Sequence, residues 1–239
     1  MNENLYEFIF KRKSNRQYDM TPLSEEELNN IKAFAEYLKP LYENFKVEYY
    51  ITNNVKNITP VSAPHYFVIS SENKEGYLFN IGFMFQQMDL YLSSEGLGSC
   101  WLGLARSTEK IETKLEFVII LAFGKPVGSP YRDLSGFKRK PLAEIASGSD
   151  ERLECAHLAP SASNTQNWFF ACANGEIHVY QKKLNPVMAI LYNKMNQIDI
   201  GIALCHLYAA TENQGKTFGF SKKSNVKELK GYFYIGTVE

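Results

Sequence analysis

Ala159-Pro160-Ser161-Ala162-Ser163-Asn164-Thr165-Gln166-Asn167-Trp168 is the stretch on which the fold reading turns. It sets a proline, hydroxyls, amides and an aromatic in one short polar segment, between an amphipathic run and an apolar one. Pro160 lacks a backbone donor and fixes its own φ, so a helix does not pass through it easily. Ser161, Ser163, Asn164 and Gln166 then offer donors and acceptors at nearly every position. A segment of this kind can hydrogen-bond a flat, polar-edged ligand along its length.

Working outward, Glu151 to Leu158 reads as an amphipathic helix. Trp168 to Ala173 reads as a strand with a hairpin partner at Ile177 to Gln181, Asp199 to Gln214 as an apolar helix, and Tyr232 to Val238 as a closing strand. Ser147-Gly148-Ser149-Asp150 is a turn-rich junction and divides the chain into halves, 1–146 and 147–239. In the first half, Leu5 to Phe10 with Lys11 to Arg16 reads as a short helix ending in a basic cluster. Ser24 and Glu27 form a capping box for a helix through Leu28, Ile31, Phe34, Ala35 and Leu38 that Pro40 stops. Tyr66 to Ser70 is a strand, Asn80 to Glu95 an apolar helix ended by Gly96, and Phe117 to Phe123 a buried strand. Lys138-Arg139-Lys140-Pro141-Leu142-Ala143-Glu144-Ile145 reads as a basic extended segment.

The halves resemble each other. Asn80-Ile81-Gly82-Phe83 aligns with Asp199-Ile200-Gly201-Ile202, and both helices then run without a gap to a glycine, Gly96 and Gly215. Each is followed by a strand ending in Gly, Phe123-Gly124 and Ile235-Gly236. This is the pattern of an internal duplication.

Composition narrows the function classes. The 239 residues carry 26 basic and 26 acidic side chains, so bulk electrostatics favours neither nucleic acid nor an anionic membrane as partner. Cys100, Cys155, Cys172 and Cys205 are far apart, which argues against a zinc site or a redox dithiol. The polar start, Met1 to Asn4, is unlike a secretory signal, and Phe117 to Phe123 is too short to span a bilayer, so a cytoplasmic protein is expected.

Two further segments carry chemistry. In Arg12-Lys13-Ser14-Asn15-Arg16, alternate positions put Arg12, Ser14 and Arg16 on one side if the backbone is extended. Guanidiniums give bidentate, charge-assisted bonds to phosphate oxygens; alone, the segment also reads as a solvated basic surface. Glu95-Gly96-Leu97-Gly98-Ser99-Cys100-Trp101-Leu102-Gly103 follows a helix, so it is a helix stop and tight turn rather than a dinucleotide fingerprint. Trp101 and Trp168 could wall a ring, though packing explains both; His157 could sit near the Pro160 segment, with a capping or surface role favoured, and His206 reads as a satisfied core or interface histidine.

In order along the chain these pieces closely resemble the nitroreductase family. The family's motifs are an RRSxR-like N-terminal segment, a PSxxNxQPW segment, a GLG-like turn, a strand ending in G-x-P and an RKPL-like segment. The first half has Arg12 to Arg16, Gly96 to Gly98, Phe123-Gly124-Lys125-Pro126 and Arg139-Lys140-Pro141-Leu142, but nothing like PSxxN between Leu41 and Tyr50. The second half supplies that part at Pro160 to Trp168 and lacks the GLG turn, having Gly215-Lys216-Thr217. Asn167 departs from the family's proline.

The resemblance implies an α+β, nitroreductase-like fold with a mixed or antiparallel sheet flanked by helices, internally duplicated as a pseudo-dimer, monomeric or homodimeric. It implies one FMN per chain between the halves, and hydride transfer from NAD(P)H through flavin N5 to a nitroaromatic, quinone or similar acceptor. Arg12, Lys13, Ser14 and Arg16 would meet the phosphate, ribityl chain and pyrimidine edge. Pro160, Ser161, Ala162, Ser163, Asn164 and Gln166 would lie along the flavin from the other half. Leu102 and Gly103 would approach N5, and Arg139 or a neighbouring lysine would close over the phosphate. No catalytic side chain and no metal are expected. The same residues would also serve a protein that only holds flavin for storage, sensing or delivery.

Overall fold

In the computed structural model, which describes residues 5–239, the elements run in this order. They are α1 (Tyr6–Ile9), α2 (Glu25–Ala35), β1 (Val47–Thr52), β2 (Val55–Asn57), β3 (His65–Ser71), α3 (Tyr77–Ser94), β4 (Gly98–Leu102), β5 (Ala105–Ser107) and β6 (Glu116–Gly124). Then follow α4 (Leu142–Ile145), β7 (Ala146–Ser147), α5 (Leu153–His157), β8 (Trp168–Ala173), β9 (Glu176–Lys182), α6 (Pro186–Asn213), β10 (Phe220–Ser221) and β11 (Tyr232–Val238). The polar start, Met1 to Asn4, lies outside the described residues. The fold is the α+β, nitroreductase-like arrangement expected, with its strands in mixed and antiparallel sheets.

One sheet has the order β1-β3-β6-β4 and is antiparallel throughout. The other has the order β10-β11-β9-β8-β7, antiparallel except for the short parallel pair β7–β8. In each, a hairpin-like pair precedes a long helix, and two strands follow it. β1-β3-β6-β4 in the first sheet therefore corresponds to β8-β9-β11-β10 in the second. The short β7 spans the junction expected near residue 147.

The long helices α3 and α6 pack against each other in the centre. Both are apolar around their circumference, and one continuous apolar cluster joins them to strands of both sheets. They cross at their matched glycines. A Cβ on Gly82 would lie 2.1 Å from the Ile198 carbonyl oxygen, and one on Gly201 would lie 2.0 Å from that of Phe79. Ile198 and Phe79 each stand three residues before the opposite glycine, so the contact is reciprocal.

Several boundaries differ from the sequence reading. The capping box forms as expected, with Glu27 N–H donating to Ser24 Oγ and Ser24 N–H to Glu27 Oε2. The basic cluster is not helical. α1 ends at Ile9 in a turn through Lys11, and residues 12–18 leave the helix because their backbone pairs elsewhere, Asn15 N–H donating to Ser99 O at 2.9 Å. α6 starts thirteen residues before Asp199, at Pro186, with the Asn185 side chain accepting from Met188 N–H. Leu142 to Ile145, expected extended, forms a helical turn after Pro141. The glycine-rich stretch after α3 is a strand, β4, and not only a turn.

Gly82→Ala and Gly201→Ala should each destabilise the fold by about 3 kcal/mol, at the upper end for overpacked cores, since a backbone oxygen cannot swing aside. Thermal melts followed by circular dichroism would read this. A midpoint unchanged from wild type would mean the helices do not approach as closely as described.

Candidate functional site

A cavity of about 790 Å³ opens between the two sets of elements. From the first half it is lined by Ser14, Arg16 and Gln17, by the Thr59–Val61 loop, and by Cys100 to Leu104. From the second half come Pro160 to Ser163 and one face of α6, including Tyr192, Met195, Ile198, Asp199 and Ile202. Its walls are mainly apolar and its polar groups sit at a few points, as in sites for planar ligands.

The basic segment reaches the cavity because it runs beside β4, where Ser14 bridges Ser99 in parallel. Alternation then puts Ser14 and Arg16 in the lining. Arg16 is exposed, and its guanidinium makes only a 3.4 Å bond to Ser14 O. Arg12 takes a different place. It is 1 % exposed, and its Nε lies 2.7 Å from Asp89 Oδ2. Lys13 is half-buried and is not part of the lining.

The Pro160 segment is held open under strain. Ser163, Asn164 and Gln166 have φ of 50°, 55° and 47°, a left-handed conformation that costs non-glycine residues on the order of 1 kcal/mol or more each. Side chains overdetermine it. Asp199 accepts the Ala162 N–H with both oxygens at 3.0 Å, and Gln166 N–H donates to Ser161 Oγ at 3.0 Å. Gln166 is 2 % exposed and staples the loop, its Oε1 accepting from Lys140 N–H and its Nε2 donating to Asn164 O. Asn164 Oδ1 accepts from Arg139 Nη1 at 2.8 Å. Thus Pro160 to Ser163 line the cavity, while Asn164, Gln166 and Arg139 fix the loop from behind.

Of the basic trio, Lys140 Nζ is committed to Thr165 O and Gln166 O. Arg139 also donates to Leu158 O but leaves its Nε buried and unpartnered among the described residues. Arg12 Nη1 and Arg132 Nε are in the same condition. Burial, with Arg12 and other guanidiniums nearby, pushes Arg132 and Arg139 down to about 10. Such a cluster fits an anionic group; its members do not line the cavity but meet its edge where Arg12 donates to Ser14 Oγ.

Sequence reasoning missed Asp199, Arg132 and Asp89, since a carboxylate inside an apolar helix pattern reads only as an interruption. Of the two readings of Trp101, walling a ring or packing, the structure gives it a place in the cavity wall, and its indole N–H donates to Gln86 Oε1 at 3.3 Å. Trp168 and His206 are in the core as expected, and His206 Nδ1 donates to Cys155 O, since burial holds the ring neutral with a pKa of about 3. His157 bonds Lys140 O at 2.6 Å, a structural contact. Among the described residues no helix is long and apolar enough to cross a membrane.

Burial holds the Asp199 carboxyl well above the usual carboxylate range, with the Ala162 N–H pulling the other way. The fold therefore favours the protonated acid. That contribution is complete below about pH 4 and is lost as pH rises through the raised folded value. Asn80, at the matching position of α3, does the equivalent work as an amide, accepting the N–H groups of Leu41 and Tyr42. Asp199→Asn should therefore gain stability relative to wild type between about pH 4 and pH 8. Denaturant titrations at both ends would check this, and a difference independent of pH would contradict it.

A sequence profile of the family described as "Putative TM nitroreductase" matches residues 4–211. Among solved structures, one described as a putative nitroreductase from Thermotoga maritima shares 22 % identity at a TM-score of 0.68. The alignment covers 100 % of this chain and 93 % of that one. An FMN-dependent nitroreductase from Clostridium difficile R20291 aligns over 56 % of this chain and 96 % of its own, at 17 % identity and a TM-score of 0.43. A protein from Bacteroides thetaiotaomicron, described as a putative NADH dehydrogenase/NAD(P)H nitroreductase, aligns over 63 % of this chain and 100 % of its own, at 12 % identity and a TM-score of 0.46. No curated protein matches the chain. With the family profile extending over most of the sequence, the chain belongs to this nitroreductase family.

Proposed function

We propose that the chain is an FMN-dependent oxidoreductase with one flavin site, built jointly by residues 1–146 and 147–239 as two fused nitroreductase-like halves. The observation that carries this reading is the meeting of the two complementary motifs. Ser14 and Arg16 line the same cavity as Pro160 to Ser163, although each half of the sequence has only one of them.

The residues fit FMN. Ile198, Ile202 and Met195 offer apolar surface to a ring, and Ser14, Arg16, Ser161 and Ser163 offer polar groups to its edge and ribityl chain. Arg12 and Arg139 supply unpartnered guanidinium nitrogens for the phosphate. Bound flavin would supply two-electron chemistry between NAD(P)H and a nitroaromatic, quinone or similar acceptor, and the protein would bind, orient and stabilise charge. Arg16 is the cation available to the pyrimidine edge, where preorganised positive charge favours reduction. Tyr192 and Met195 on one side and the Thr59–Val61 loop on the other would restrict water and frame the acceptor.

The matching place in the other half is a second cavity, of about 750 Å³, with a different lining. Counted from Gly82 and Gly201, cavity residues Ile198 and Ile202 correspond to Phe79 and Phe83. Pro160-Ser161-Ala162 corresponds to Pro40-Leu41-Tyr42, held by Asn80 as Ala162 is by Asp199. The walls of this second cavity are aromatic, from Tyr42, Phe79, Phe220 and Tyr234, and carry the Lys222–Glu75 ion pair, with no serine or arginine among the described residues of the lining. Ser14, Arg16 and the Pro160 segment line only the other cavity, which is the reason for placing the flavin there.

Purified protein saturated with FMN and desalted should retain about one flavin per chain and bleach with NADH or NADPH, recovering on addition of a quinone. Arg16→Ala should weaken FMN binding tenfold or more, as expected for losing a charge-assisted hydrogen bond of about 1.5–3 kcal/mol. Absence of retained flavin would overturn the reading, and two per chain would overturn the single site.

A further inference from the structure

Asp89 is a carboxylate on α3 with no exposed surface, and the fold by itself does not explain it. Burying a carboxylate is costly unless donors surround it. Here they do. Gln86 Nε2 donates to Oδ2 at 2.8 Å, Ser99 Oγ and Arg12 Nη2 donate to Oδ1, and Arg12 Nε makes the ion-pair contact. The correspondence between halves shows that the architecture does not require this arrangement. Counted from Gly82 and Gly201, Asp89 falls opposite Tyr208, and Gln86 opposite Cys205. α6 packs in the matching frame without a carboxylate at that place. Asp89 therefore serves something found only on the Arg12 side.

On that side lie three guanidiniums with unused donors. Arg12 spends Nη2 on Ser14 Oγ and Asp89, and its Nη1 is buried without a partner among the described residues. Arg132 is delivered beside it by backbone pairing: Tyr131 bridges Arg12, and Arg132 N–H donates to Lys11 O at 2.9 Å. The Arg132 and Arg139 guanidiniums both contact the ring of Phe137, at 4.7 and 5.5 Å from its centroid. Arg132 Nε and Arg139 Nε are buried and unpartnered among the described residues. Asp89 is the carboxylate held in contact with Arg12, and three guanidiniums against it leave a positive excess suited to a doubly charged anion.

We infer that Asp89 is a positioning residue that locks the Arg12 guanidinium, so that Arg12, Arg132 and Arg139 jointly take the flavin's terminal phosphate. Arg132 is then a phosphate ligand that the basic motif does not contain. The inference rests on the FMN reading above but goes beyond it, since that reading requires neither Asp89 nor Arg132. Asp89 touches no part of the cavity itself, so its effect on binding passes through Arg12. A second route leads through Gln86 to the Trp101 indole at the cavity wall.

FMN and riboflavin share the ring and ribityl chain and differ in the phosphate, so their affinities separate a phosphate effect from a loss of packing. Dissociation constants for both are measured by flavin fluorescence with wild type, Asp89→Asn and Arg132→Gln. Each variant should lose FMN affinity tenfold or more while riboflavin affinity changes less than threefold, with the circular dichroism spectrum kept. A parallel loss for both flavins would show a merely structural role and overturn the inference, as would unchanged FMN affinity. If Asp89→Asn does not fold, Arg132→Gln on the largely exposed 131–137 segment decides by the same ratio. Wild type that binds neither flavin overturns the FMN reading itself; wild type that binds FMN with an unchanged ratio in the variants overturns only this inference.

Discussion

Backbone contact between α3 and α6 at Gly82 and Gly201 governs the rest of this molecule. Side chains at those positions would hold the helices apart, because the nearest atoms are carbonyl oxygens of the opposite helix. With the axes close, α3 and the part of α6 from Asn196 onward are largely buried, and two sheets share one apolar core. The crossing also fixes where everything else lies. Asp199, two residues before Gly201, pins the Pro160 loop through Ala162 N–H, and Asn80, two before Gly82, pins Leu41 and Tyr42 in the same way.

From that near-symmetric frame the two sides diverge by side-chain volume and charge. At matched positions one side has Ala162, Ile198 and Ile202, and the other has Tyr42, Phe79 and Phe83. Both sides hold a cavity, and the rings change the lining of the second. Charge differs too: Asp89 and the guanidiniums lie on the first side, and Tyr208 takes Asp89's place on the second. A buried ion pair is weak evidence for stability by itself, which is why the Asp89–Arg12 pair enters the proposal above.

The strained loop shows how such a site is maintained. Left-handed residues at Ser163, Asn164 and Gln166 would relax if the loop were free. Asp199, Arg139, Lys140 and the Gln166 side chain hold it from behind. Part of the motif therefore contacts the cavity and part acts as its scaffold, and a linear motif does not distinguish these roles.

Much of this was legible in the sequence. The capping box at Ser24 and Glu27, the buried strand ending at Gly124, the paired glycine helices and the Pro160 segment all follow from local chemistry: a hydroxyl three residues from a glutamate, β-branched runs, a proline that stops a helix. The start of α6 at Asn185-Pro186 was there to be read as well, since an amide cap before a proline is a local signal. What the sequence could not disclose depends on groups distant in the chain. The basic segment is extended because β4 offers it a partner, so its own helical tendency loses. Tyr42 and Ala162 line two different cavities only because the helices bring them to matching places. Arg12 turns inward because Asp89 waits there, and Arg132 joins it by pairing with Lys11. Local propensity determined which segments form and where they end; burial and long-range pairing decided which charges face each other, because those depend on distance in space and not on spacing along the chain.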